Sequence, residues 1–125
     1  MKYILLMLIS AALMGETCKN KNKAVVADPI PVNDIPSCIQ QRIDSIKKLS
    51  RWNPPAQVNE YRYNSKRVFL FTSDCCDFYD PLYDSACNYI GAPHGGFSGK
   101  GDGKCPDFDQ AAKHVKLVWK DERQQ

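Results

Sequence analysis

The sequence is short of the residues that most often announce chemistry. It has two histidines, too far apart for an H-x₃₋₅-H pair, and its six cysteines form no C-x₂-C pair. Zinc sites of the usual spacing and C-x-x-C redox centres are therefore excluded. After residue 14 no stretch is apolar enough to cross a bilayer. Charge of one sign is also scarce. With 17 Lys+Arg against 14 Asp+Glu the net charge is +3, too little for a nucleic-acid footprint, so no nucleic-acid partner is expected. At 125 residues, 43% apolar and 25% charged, the chain suits one small globular domain rather than two domains or a disordered polymer.

What is present begins with export. Lys2 supplies a basic start, and Tyr3 to Met14 is a twelve-residue apolar run. As a helix that run spans about 18 Å, against about 30 Å for a bilayer core, so residues 1–17 read as a signal peptide. Cys18 follows, and then the polar run Lys19-Asn20-Lys21-Asn22-Lys23. The layout resembles a bacterial lipoprotein, in which such a cysteine is acylated and holds the chain on a membrane. The residues before it are Gly15, Glu16 and Thr17, where a lipobox prefers Leu and two small residues. Ordinary cleavage nearby, with Cys18 left as a thiol or a disulfide partner, is the alternative. Residues 18–33, with Pro29 and Pro31, form a tether. Its three lysines carry the whole positive excess, since residues 28–125 hold 13 cations and 13 anions. Those lysines serve plain solubility or, beside an anchor, meet anionic headgroups.

Residues 34–123 read as a single α+β domain. Ile35, Cys38, Ile39, Ile43, Ile46 and Leu49 recur at three and four, the stripe of an amphipathic helix. Asp34 suits its N-cap, Pro36 its first turn, and Asn53-Pro54-Pro55 stops it. Gln57–Tyr63 and Arg67–Ser73 alternate around Asn64-Ser65, a hairpin whose aromatic positions suggest one strongly apolar face for the helix. Phe78–Tyr83 and Asn88–Ala92 make a further pair. Val115–Trp119 closes the sheet, with Val115, Leu117 and Trp119 on one side. The fold expected is an N-terminal helix on a small, mainly antiparallel sheet with disulfide-stapled Gly/Asp-rich loops.

Cys38, Cys75, Cys76, Cys87 and Cys105 default to disulfides in an oxidising compartment. Adjacent Cys75 and Cys76 point to opposite faces of a strand and should seek different partners. A bridge from Cys38 would tie helix to sheet, and one thiol is left over. Residues 74–109 hold seven aspartates against two lysines, together with six of the seven glycines. Asp and Gly build turns without a core. Convergence on calcium is the competing reading, with Asp102, Asp107 and Asp109 as candidates, although the EF-hand spacing is absent; no other cofactor is expected. The run from His94 to Phe108 approaches a P-loop, a nucleophile elbow and a dinucleotide fingerprint and completes none. Its binding-loop candidates are His94, Gly95, Gly96, Lys100, Asp102, Lys104 and Asp107.

Ser73-Asp74-Cys75-Cys76-Asp77, Leu82-Tyr83-Asp84 and the stretch Ala92-Pro93-x-Gly95-Gly96-Phe97-x-Gly99-Lys100-Gly101-Asp102-Gly103-Lys104-Cys105-Pro106-Asp107-Phe108 resemble an uncharacterised family. Its members are short, single-domain exported lipoproteins of Bacteroidota-type bacteria, and the similarity covers about residues 35–123. The resemblance implies location and single-domain form, and no catalytic residue. The leading expectation is a non-enzymatic module, lipid-anchored in the cell envelope, that offers its acidic Gly-rich lobe to an envelope protein or a small ligand. Alternatives are a secreted peptidase inhibitor, a calcium-binding module, or a hydrolase using His94 with Asp102 or Asp107.

Overall fold

The computed structural model describes residues 34–75 and 77–124. The signal segment 1–17, Cys18, the tether 18–33 and Cys76 lie outside the described residues. Within them the order is α1 (Ser37–Lys47), β1 (Gln57–Tyr63), β2 (Lys66–Phe71), β3 (Tyr79–Asp84), β4 (Tyr89–Gly95), α2 (Phe108–Ala111) and β5 (Lys113–Lys120). The strands form an antiparallel sheet in the order β4-β3-β2-β1-β5. The first four strands form a meander, β5 returns outside β1, and the class is α+β.

The amphipathic helix is shorter than its sequence stripe. Pro36, and not Asp34, holds the N-cap position without any side-chain cap, and the helix closes at Lys48. Proline has no N–H to leave unpaired there, and Lys47 and Lys48 face the negative end of the helix dipole. Ile39 and Ile43 are fully buried, with Ile35, Cys38 and Ile46 packed beside them. Leu49 falls past the last turn and is exposed.

Asn64 and Ser65 form the hairpin turn, both left-handed with φ of 49° and 61°, the geometry whose twist matches paired strands. The resulting register, Glu60 opposite Phe69 and Tyr61 opposite Val68, corrects the expectation of one aromatic face. Because cross-strand partners share a face, Val58, Glu60, Phe69 and Phe71 lie on one side, and Tyr61, Tyr63, Val68 and Leu70 on the other. Both sides are apolar and both are covered. α1 packs on Val58, Phe69 and Phe71. Cys105 and Phe108, brought by the chain between β4 and β5, pack on Tyr63, Val68, Leu70 and Leu82. The domain therefore has three layers: helix, sheet, and a loop lobe ending in α2.

Under α1, Glu60 is 1% exposed. Its carboxylate accepts from Arg67 Nε and Nη2 at 2.8 and 3.0 Å, and the same Nη2 donates to Asp34 O at 2.8 Å. A buried carboxylate needs that bidentate partner. Cys38 is bonded to Cys87, 49 residues apart, which ties α1 to the β3–β4 turn. Cys75 is also disulfide-bonded.

β5 departs from its expected alternation. Its pairing with β1 shifts between Val58 and Asn59 and again between Glu60 and Tyr61. Each bulge adds a residue and reverses the side-chain alternation. Trp119 and Val118 consequently pack toward α1, while Val115 and Leu117 are 47% and 48% exposed. Beyond the strand, the buried Asp121 is held by Arg123, whose Nη1 also donates to Lys47 O and Leu49 O at 2.8 and 3.1 Å. The Arg123 side chain and its backbone N–H donate to the Asp121 carboxylate and, outweighing burial, hold it at about 2.

Candidate functional site

The lobe is built from backbone outward. Gly99 N donates to Gly96 O at 2.9 Å, closing a tight turn, and Gly101 N returns to Gly95 O at 3.0 Å. Gly101 has φ +69°, and a Cβ there would stand 1.9 Å from Ala92 O, so no other residue fits. Gly91 clears the opposite wall: a Cβ on it would lie 2.8 Å from Cys105 Sγ. These close approaches seat the loop against the edge of β4.

Asp102 is the lobe's organising side chain. Its Oδ1 accepts from Ala92 N and Lys104 N, both at 3.0 Å, and its Oδ2 from the Tyr89 hydroxyl at 2.7 Å. Burial pushes this carboxyl up, but the three hydrogen bonds prevail and set it at about 2. Tyr89 is pushed up to about 12 by burial and by donating to that carboxylate. Asp107 accepts from the Tyr63 hydroxyl at 2.5 Å, which raises Tyr63 to about 12. Phe108 then packs its ring against Tyr61, Tyr63 and His94, with centroids 5.1, 5.2 and 5.8 Å away.

The structure brings some of the expected site residues together and separates others. His94 lies at the end of β4 with Nε2 2.7 Å from Asp109 Oδ1. Its partner is thus neither Asp102 nor Asp107, which corrects the dyad expected for a hydrolase; both of those carboxylates are already engaged in the scaffold. Asp102, Asp107 and Asp109 serve three different partners, and no group of three or more metal-capable side chains occurs among the described residues. Gly95 and Gly96 start the loop and Lys100 bridges back to Gly95. Lys104 Nζ lies 4.8 Å from the Tyr89 ring centroid and 3.8 Å from Asp102.

Cys105 is one of the five disulfide candidates, of which one thiol is expected to be left over. It is a buried free thiol and staples nothing. Burial, reinforced by the charges of Asp102 and Asp107, pushes its pKa up, so it stays protonated and behaves as a small core residue rather than a nucleophile.

Phe97 did not stand out among the candidates, and it is the most conspicuous residue of the lobe. Within the Gly96–Gly99 turn it is 96% exposed. Phe78 and Tyr79, also exposed, share its corner, since Gly96 N donates to Phe78 O at 3.1 Å and Gly96 lies against the Tyr79 ring. A lone aromatic inside a Gly/Ser run was the available signal.

Sequence comparison places this three-layer domain, with its braced, aromatic-tipped loop, in a family. Residues 44–121 match the model of a domain of unknown function, DUF6970, and the chain belongs to that family. The match begins inside α1 and ends just past β5, taking in the whole sheet, the lobe and Cys87 but not Cys38. No curated protein and no solved structure matches the chain.

Proposed function

We propose that the protein is an exported, non-enzymatic binding module of the bacterial cell envelope, anchored by lipid on Cys18 after removal of residues 1–17. Residues 18–33 tether the domain at 34–123, which docks the Phe97 corner onto an envelope protein. The observation that carries this reading is a nearly fully exposed phenylalanine on a loop braced by backbone hydrogen bonds and by Asp102. Burying a Phe side chain is worth about 1.5–3 kcal/mol, stabilisation the monomer forgoes. Aromatic anchors dominate interface energetics, and a preformed loop avoids the entropic cost of ordering. The Cys38–Cys87 bridge suits an oxidising compartment.

Peptidase inhibition is the second reading, because Phe97 also has the look of an inhibitory side chain. The turn from Gly96 to Gly99 argues against it, since peptide-binding clefts of this kind take extended backbone. Calcium binding by the lobe is less favoured still, with Asp102 and Asp107 already engaged.

The test combines location and contact. Detergent phase partitioning of cell extracts should place the wild type with membranes and Cys18→Ser in the aqueous phase. A photo-crosslinking amino acid at position 97 should trap one discrete envelope protein, and Phe78→Asp in that background should abolish the adduct. A cytosolic, fully reduced protein, or no adduct at position 97, would refute the reading. Inhibition within a peptidase panel that is lost on Phe97→Asp would favour the second.

A further inference from the structure

On the α1 side of the sheet, between the C-terminal half of α1 and strands β2 and β3, lies a groove of about 380 Å³. That volume suits a molecule of one or two rings. Its walls are aromatic, with Trp52, Phe71, Tyr79 and Tyr83 closed by Pro81. Phe71 and Tyr83 meet edge to face at 5.7 Å. The Arg42 guanidinium lies over the Tyr83 ring, 3.9 Å from its centroid. No lining residue is acidic, and Arg42 has no carboxylate partner among the described residues.

The remaining polar groups narrow the ligand's chemistry. The hydroxyls of Ser45, Thr72 and Ser73 already donate to backbone oxygens of Gln41, Gln57 and Phe78. Arg42 is therefore the charged group left to recognise a ligand. Ring faces select a flat apolar body. A guanidinium with no counter-charge selects an anion, and its planar fork fits a carboxylate in two parallel hydrogen bonds.

We propose that this groove binds a small aromatic carboxylate, its ring against the aromatic walls and its carboxylate on Arg42. The site does not depend on the docking of Phe97: Tyr79 borders both surfaces, but the groove's charge and most of its walls belong to α1, β2 and β3.

The probes are 2-naphthoate and 2-naphthamide, identical in shape and differing in charge, titrated into the folded protein by calorimetry or ligand-observed NMR. Naphthoate should bind saturably and about tenfold or more tighter than the amide. Arg42 is exposed on the helix, so Arg42→Gln should keep the native circular dichroism. It should also erase the preference for naphthoate while leaving naphthamide unchanged. Equal affinity for the two probes, naphthoate binding indifferent to Arg42→Gln, or no saturation by about 5 mM overturns the proposal. A synthetic peptide of residues 24–33 forms the last arm. Its saturable binding without any by naphthoate would reassign the groove to the chain's own proline-bearing segment and equally overturn the proposal.

Discussion

The two faces of the sheet are covered in different ways. On one, α1 supplies isoleucines at helical spacing; Arg67, paired with the buried Glu60, bonds Asp34 O just ahead of it, and the Cys38–Cys87 bridge holds it down. On the other, the chain between β4 and β5 supplies two buried residues, Cys105 and Phe108, and the partly buried Ala112. Its position comes from backbone hydrogen bonds, glycines and two aspartates. A helix satisfies its own backbone and needs only an apolar stripe to dock. A loop has no such internal ladder, so each of its polar groups must find a partner in the fold. The helix face should therefore be sensitive to loss of covalent and ionic ties, and the lobe to small changes in backbone shape.

The largest effect expected is on the helix face. Replacing Cys38 and Cys87 together by alanine reopens a loop whose closure is worth about 4 kcal/mol, and the melting temperature should drop by on the order of 20 °C. Next, Arg67→Met strands the Glu60 carboxylate and should destabilise by about 3 kcal/mol in urea titration; adding Glu60→Met should recover part of that loss. On the lobe the sharpest contrast lies between two glycines of the same backbone hand. Gly101→Ala meets Ala92 O and should destabilise by about 2 kcal/mol or more, whereas Gly99→Ala, in open space, should lose only about 1 kcal/mol. Equal losses at the two would remove the case for a loop seated by close contact.

Acid should act on both faces. Asp102 and Asp121 titrate at about 2 in the folded chain against an ordinary 3.8. Between those values the unfolded chain binds protons that the native one does not, so their stabilisation is intact above about pH 4 and is lost as pH falls toward 2. Asp102→Asn should flatten that decline in acid unfolding followed by circular dichroism. The smallest effect expected is from EDTA, which should leave the melting temperature unchanged; a calcium-dependent rise would make the aspartates ligands rather than scaffold.

Much of the architecture was legible. Ile39 and Ile43 announced the helix, Asn64-Ser65 the hairpin, and the Asp/Gly density a loop lobe. The errors share a cause. The helix stripe ran on to Leu49 because periodicity does not register where a helix is capped. The hairpin suggests a single aromatic face because composition reveals apolar strands but not which register the turn imposes. The bulges in β5 left no mark in an alternating sequence. At the site, His94 was a visible candidate, yet its partner Asp109 was read only as a weak calcium ligand. Arg42, Trp52 and Tyr83 carried no motif at all, being separated along the chain and meeting only when α1 lies on the sheet.

The amino-acid sequence by itself determined which segments become helix, hairpin and loop, because periodicity, turn chemistry and glycine geometry are local. Only the tertiary structure decided which cysteines meet, which aspartate faces His94, and that Phe97 is left uncovered. Those outcomes depend on strand register and layer packing, which place residues tens of positions apart in contact and which no local pattern encodes.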